Sequence, residues 1–301
     1  MKVVVAGGTG FLGRALSQSL AADGHDVCLL TRGAGDRTFK TVLWAPNGSS
    51  GPWASAIDGA DAVVNLAGES IAAKRWTAEQ KQRILDSRVQ ATRSLVAAIQ
   101  GCPNPPSVLV SGSAVGYYGP LSDEVATEDT PPGSDFLARV CVTWEDEARR
   151  AATPRTRVAC IRTGLVLARD GGALPPMLLP FRFGAGGPVG SGRQYWPWIH
   201  RQDWVNLVRW AMRTPDSSGA INATAPNPVT NAEFAHALGR AMHRPAFMPA
   251  PAFALRLLLG EMADALVLSG QRAVPRRAER GGFTFTYRTI DDALDAIFGQ
   301  A

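Results

Sequence analysis

A β-branched run that breaks into glycines and then into a helical pattern leaves few folds open to a chain. Val3-Val4-Val5-Ala6-Gly7-Gly8-Thr9-Gly10-Phe11-Leu12-Gly13 is such a run, with its glycines spaced GxxGxxG. Glycine at these positions permits a tight turn and lets backbone N–H groups approach a pyrophosphate closely, while the helix that follows adds the partial positive charge of its N-terminus. A glycine pattern alone is weak. With a strand before it and a helix after it, it predicts dinucleotide binding, an ordinary glycine-rich turn being the plain alternative.

The next 150 residues extend that pattern. Apolar runs at Lys2–Ala6, Asp26–Thr31, Ala60–Leu66, Ser107–Ser111 and Arg157–Arg162 read as strands, and Phe11–Ala22, Thr77–Ile99 and Asp135–Ala152 read as helices. Unbroken apolar strands alternating with helices imply βαβ units around a parallel sheet covered on both faces. After about Val166 the chain turns Gly/Pro-rich, from Gly171 to Gly192, and then carries helical patterns at Gln202–Arg213, Asn231–Met242 and Pro251–Gly270. One run, Gly219–Ala223, reads as a strand returning to the sheet. The expectation is an α/β doubly wound Rossmann sheet over 1–165, followed by a smaller C-terminal substrate or cap region over 166–301.

The second strand ends in Thr31-Arg32, where NAD-specific sheets carry a carboxylate for the ribose hydroxyls. A guanidinium suits a 2′-phosphate instead, so NADP(H) is favoured over NAD. A net charge of +5 fits an anionic cofactor, but no basic run exists that would recommend a nucleic acid. Four scattered cysteines without CxxC spacing suit a reducing cytoplasmic compartment, and the apolar stretch at Phe253–Leu268 is broken by Arg256, Glu261 and Asp264. His236 and His243 stand seven apart without a third ligand type nearby, so no metal is expected.

These residues resemble the extended short-chain dehydrogenase/reductase superfamily. Gly7, Gly10 and Gly13 fit its spacing, Asn65-Leu66-Ala67-Gly68 its fourth-strand motif, and Ser111-Gly112-Ser113-Ala114 the strand end that carries its active-site hydroxyl. Arg162-Thr163-Gly164-Leu165-Val166 and Trp198-Ile199-His200 with Asp203 match later landmarks. More narrowly the chain resembles the YfcH/SulA-like epimerase family, through Glu69 with Arg75-Trp76, Gly116-Tyr117-Tyr118-Gly119, Asp135-Phe136-Leu137, Trp144-Glu145 and Gly186-Gly187-Pro188. The tail from about 248 to 301, with Gly270-Gln271-Arg272, is similar to a small C-terminal domain of unknown function found in that branch.

The resemblance implies an NADP(H) site formed by Gly7, Thr9, Gly10, Phe11, Leu12, Gly13, Thr31, Arg32, Leu66, Ala67, Gly68, Arg88 and Val166, with Arg88 able to reach a phosphate. It also implies a Tyr-x-x-x-Lys pair on the helix after the serine strand. Here Leu137 and Cys141 occupy those positions, and no lysine follows Lys81. An apolar leucine exchanges no proton, and a neutral thiol offers no cation to a phenol. Replacements are sought in Ser113, Tyr117, Tyr118 and Glu69, for each of which turn capping, loop packing or solvation is the competing reading. His200, among aromatics, is more simply a structural histidine than a base. The expected protein is an NADP(H)-dependent oxidoreductase or a nucleoside-diphosphate-sugar-epimerase-like enzyme, acting on a nucleotide sugar or carbonyl compound, with a homodimer left open. The alternative is a non-catalytic NADP(H) sensor or adaptor.

Overall fold

The computed structural model describes residues 1–33 and 38–299. Seven parallel strands, β1 (Lys2–Ala6), β2 (Asp26–Thr31), β3 (Lys40–Leu43), β4 (Ala62–Asn65), β5 (Val108–Ala114), β6 (Arg157–Thr163) and β7 (Gly219–Ala223), form one sheet. Their order is β7-β6-β5-β4-β1-β2-β3, which reverses direction between β1 and β4 and so opens a crevice at their C-terminal ends.

Strand alternation distributes the core between two layers. Val3 and Val5 face one side, against Leu16 and Leu20 of α1 (Phe11–Ala22) and Trp204 and Val208 of the helix Arg201–Arg213. Val4 and Ala6 face the other, with Leu95 and Ile99 of α2 (Ala78–Gly101) and Ala148 of α3 (Phe136–Arg149). Val3, Val4, Val5 and Ala6 are fully buried, and each valine so placed contributes about 1.5–3 kcal/mol. The continuous apolar strands thus mark a sheet covered on both faces.

The helices that follow are α4 (Leu174–Arg182), α5 (Arg201–Arg213), α6 (Asn231–Ala241), α7 (Ala252–Leu259), α8 (Glu261–Leu266), α9 (Arg276–Arg280) and α10 (Ile290–Phe298). A third cluster, with Trp198, Phe234, Leu238, Ile290 and Leu294, joins α6 and α10. The buried Asp203 carboxylate accepts from the Thr286 and Tyr287 amides at 3.0 and 2.8 Å, fastening the end of the chain to α5.

Several boundaries differ from the sequence expectation. The fifth strand continues to Ala114, placing Ser113 within the ladder opposite Arg162 rather than beyond it. The helical pattern at Pro251–Gly270 breaks into α7 and α8 at Gly260, whose φ is +63°. The Gly/Pro-rich stretch conceals α4, whose prolines sit mostly in the first turn, and the short, partly exposed β3 carries too little apolar signal to be read. Residues 300 and 301, at the end of the expected tail, lie outside the described residues.

Candidate functional site

The glycine turn is built by close backbone contacts. Gly7 has φ +79°, and a Cβ there would stand 2.7 Å from the Leu66 carbonyl. A Cβ on Gly13 would stand 2.2 Å from the Gly7 oxygen, so the helix can begin this close to β1 only with hydrogen at that position. Both α2 and α3 have capping side chains, Thr77 onto the Gln80 amide and Asp135 onto the Ala138 amide, whereas α1 starts at Gly10 with no side-chain cap. Its first N–H groups are left for a ligand. Beside the turn, Thr9, Gly10, Phe11 and Arg14 line a crevice of about 630 Å3 whose far wall is Asp170 paired with Arg201. Gly171 and Gly172 pack on the Phe11 ring, and Leu12 adds to the core on the α1 side of the sheet.

At the end of β4, the Asn65 side chain accepts from the Ala67 amide at 3.2 Å and donates to Thr92 at 2.9 Å, shaping the Leu66-Ala67-Gly68 turn. Thr31 is buried and donates to the Gly33 carbonyl at 2.8 Å, so its hydroxyl closes the end of β2, and exposed Arg32 follows it. Val166 has its side chain buried in the core, its backbone in register with Ile199 and its carbonyl beside Gly172, next to the Phe11 ring. Arg88 lies on α2 beside the Leu66-Ala67-Gly68 turn: its Nη1 donates to the Glu69 and Ile84 carbonyls, both at 3.0 Å, its guanidinium lies 5.2 Å from the Trp144 ring, and it packs on Gly68.

The expected catalytic side chains divide. Ser113 donates to Glu145 at 2.7 Å, and Glu145 is held by Arg162 through Nε–Oε1 at 2.8 Å and Nη2–Oε2 at 3.0 Å. The serine proton is therefore committed, leaving its oxygen as an acceptor. Tyr118 is corrected outright as a proton donor. It is 2% exposed, its hydroxyl donates to Asn222 at 2.6 Å and accepts from Arg162 at 3.0 Å, and burial pushes its pKa up to about 12 against the pull of Arg162. Glu69 is partly buried, its carboxylate accepting from the Gln80 side chain on α2 at 2.9 Å.

Tyr117 differs from its neighbour. It is half-buried, its ring centre lies 3.4 Å from the Arg162 guanidinium carbon, and among the described residues none bonds its hydroxyl. The adjoining Gly116 packs against Leu137, since a Cβ there would stand 3.2 Å from the leucine Cβ. Tyr117 thus occupies the neighbourhood of the missing α3 tyrosine. Cys141, one turn along α3, is buried and its thiol is pushed up to about 12 by that burial. His200 accepts from the Gln202 amide at 3.1 Å as the cap of α5 and stacks 4.0 Å from Tyr287. Sequence reasoning missed Glu145 as the hub of the polar network; its position two turns beyond Leu137 on the apolar face of α3 was the available signal.

Strand order, crevice and glycine turn define the extended short-chain dehydrogenase/reductase fold. The chain belongs to the NAD dependent epimerase/dehydratase family, which residues 3–223 match, and residues 250–297 match the domain of unknown function DUF1731. It is 45% identical to the epimerase family protein SDR39U1 homolog, chloroplastic, of Arabidopsis thaliana, over 99% of this chain and 86% of that one. The crystal structure of human epimerase family protein SDR39U1 (isoform 2) with NADPH superposes with a TM-score of 0.92 at 38% identity, covering 100% of each chain. The nucleoside-diphosphate sugar epimerase structure from Corynebacterium glutamicum gives 0.82 at 33% identity, over 99% of this chain and 58% of that one. Among the described residues, no helix is long and apolar enough to cross a membrane.

Proposed function

We propose that this chain binds NADP(H) at the Gly7–Gly13 turn and carries out an oxidoreductase or epimerase-like reaction on a small carbonyl or hydroxyl compound. The observation that carries the reading is the uncapped N-terminus of α1, opening onto the sheet edge that ends in Ser113 and Tyr117. The fit to a dinucleotide rests on the turn itself: a Cβ on Gly7 or Gly13 would meet backbone atoms of Leu66 or Gly7, so only glycine lets the uncapped N-terminus of α1 start this close to β1 and β4. The Phe11, Leu12 and Gly13 amides would hold the pyrophosphate, and Arg32 a 2′-phosphate. The NADPH in the human relative's structure supports the same choice.

When bound, the cofactor supplies hydride chemistry, which leaves the protein to orient a substrate and manage one proton. Tyr117 is our proton donor, with Ser113 accepting from a substrate hydroxyl. Four free thiols support a cytoplasmic setting. The test is titration with NADPH and NADH, followed by a screen of substrate-dependent NADPH oxidation with Tyr117→Phe. Tight NADPH binding with turnover abolished by the variant is expected; no nucleotide binding, or turnover unchanged in Tyr117→Phe, would reject the assignment.

A second reading, a non-catalytic NADP(H) sensor, is favoured by one observation: the Ser113 hydroxyl is engaged in donating to Glu145, and Leu137 and Cys141 contribute no titrating group near neutral pH. It predicts tight binding without turnover on any compound in the screen.

A further inference from the structure

Most of the large apolar side chains that this protein exposes are gathered in two stretches of the C-terminal region. Phe183, Phe247, Phe253, Leu257 and Leu258 are each more than 70% exposed, and Leu179 and Met248 are about half exposed. No residue of α7 is buried, although every one of its side chains but Arg256 is apolar. The two stretches lie side by side, because the Met248 amide donates to the Gly186 carbonyl at 3.0 Å and the Ala250 amide to that of Pro188 at 2.8 Å. Leu179 and Phe183 stand one turn apart at the end of α4, as Phe253 and Leu257 do along α7. Single exposed apolar residues are ordinary, whereas a contiguous patch marks a binding face.

Charge selects the occupant. Residues 174–190 and 243–260 contain no Asp or Glu. Arg182, beside Phe183, and Arg244, shortly before Phe247, have no partner among the described residues, whereas Arg256 is paired with Asp264 at 2.9 Å. A cavity of about 630 Å3 adjoins the patch at Ala246 and is lined by His236, Arg240, His243 and Arg244, of which Arg240 alone meets a carboxylate, that of Asp291. A second copy of this chain, docked about a two-fold axis, would bring the same carboxylate-free surface against itself. An anionic bilayer offers phosphates to the cations and hydrocarbon to the phenylalanines and leucines, and it needs no shape complementarity from side chains that project. With eight residues, α7 is far too short to span it.

We propose that this face is a membrane-docking surface. On it α7 lies in the interfacial plane of an anionic bilayer, with Phe253 and Leu257 at the acyl boundary and Arg182 and Arg244 on lipid phosphates.

Co-sedimentation of the full chain with vesicles tests this, using phosphatidylcholine alone and phosphatidylcholine mixed equally with phosphatidylglycerol. Wild type is expected on the mixed vesicles and not on pure phosphatidylcholine. Replacing both Phe253→Ser and Leu257→Ser should weaken that binding by roughly tenfold or more, and Arg182→Gln with Arg244→Gln should weaken it about tenfold at low salt. All four side chains are exposed, so the melting temperatures should match wild type. If the α7 variant yields no folded protein, Leu179→Ser with Phe183→Ser on α4 is read in its place. Absence of wild type from the mixed vesicles overturns the proposal. So does retention untouched by the apolar replacements, which would reduce binding to the net positive charge. A dimer seen by light scattering and lost in the same variants, without vesicle binding, would overturn it in favour of a second copy.

Discussion

Arg162 and Glu145 form a two-pronged ion pair in which neither side chain is more than 2% exposed. The guanidinium comes from β6 and the carboxylate from α3, so the pair fixes the helix against the sheet at the level of Ser113. It also extends to the C-terminal region, since Tyr118, bound to Arg162, donates to Asn222, whose own side chain donates to the Val274 carbonyl at 2.9 Å. The network is a scaffold below the site, with Tyr117 stacked on its upper face.

Glu145→Gln should therefore be costly. It leaves a guanidinium inside the protein without its counter-charge, and breaking a buried pair on one side typically costs about 3–5 kcal/mol. Arg149 also reaches Glu145, at 2.6 Å, but is 44% exposed, so Arg149→Ala should cost less than about 1 kcal/mol. Urea denaturation of both variants measures the contrast. Equal and small losses would mean that the network contributes little to the fold.

Gly13→Ala tests the turn. The added methyl would fall 2.2 Å from the Gly7 oxygen, so α1 must move away from β1 and the amides at its N-terminus must move with it. We expect a stability loss of about 1–3 kcal/mol together with loss of NADPH binding. Gly24→Ala provides a contrast: its φ is also positive, at +77°, but no atom lies within 4 Å of its Cβ, so strain there should leave NADPH affinity unchanged. Titration of both proteins decides it, and retention of affinity in Gly13→Ala would contradict the cradle.

The sheet and its turn were legible because burial on both faces forces continuous apolar strands, and because a strand, three glycines and a helix permit few geometries. Side-chain roles were less legible. Tyr117 and Tyr118 are adjacent and chemically identical, yet one is half-buried on the Arg162 guanidinium and the other sealed by Asn222, a residue more than a hundred positions away in the chain. Such assignments depend on contacts between distant segments, which a local pattern does not encode. The same holds for Asp203, whose partners lie 83 and 84 residues further on.

Asp203→Ala should loosen that connection. Two backbone amides lose a charged acceptor, and hydrogen bonds of this kind contribute about 1.5–3 kcal/mol each. We expect a lowered melting temperature and faster limited proteolysis around residues 280–290. An unchanged cleavage rate there would show that the α6–α10 contacts alone hold the end of the chain.

His200 sets the last expectation, a pH dependence. Burial, aided by the Arg201 charge, lowers its pKa from 6.5 to about 4. Between these values the unfolded chain binds a proton that the folded chain refuses, so stability is full above about pH 6.5 and falls as the pH drops toward 4. Below about 4 both states are protonated and this contribution changes no further. His200→Asn keeps an acceptor able to cap the Gln202 amide, as His200 Nδ1 does at 3.1 Å, but cannot titrate. The difference in melting temperature between wild type and His200→Asn should therefore shift against the wild type as the pH is lowered from 6.5 to 4. A constant difference across that range would mean that the folded histidine protonates as readily as the unfolded one, and that its burial against Tyr287 does not keep it neutral.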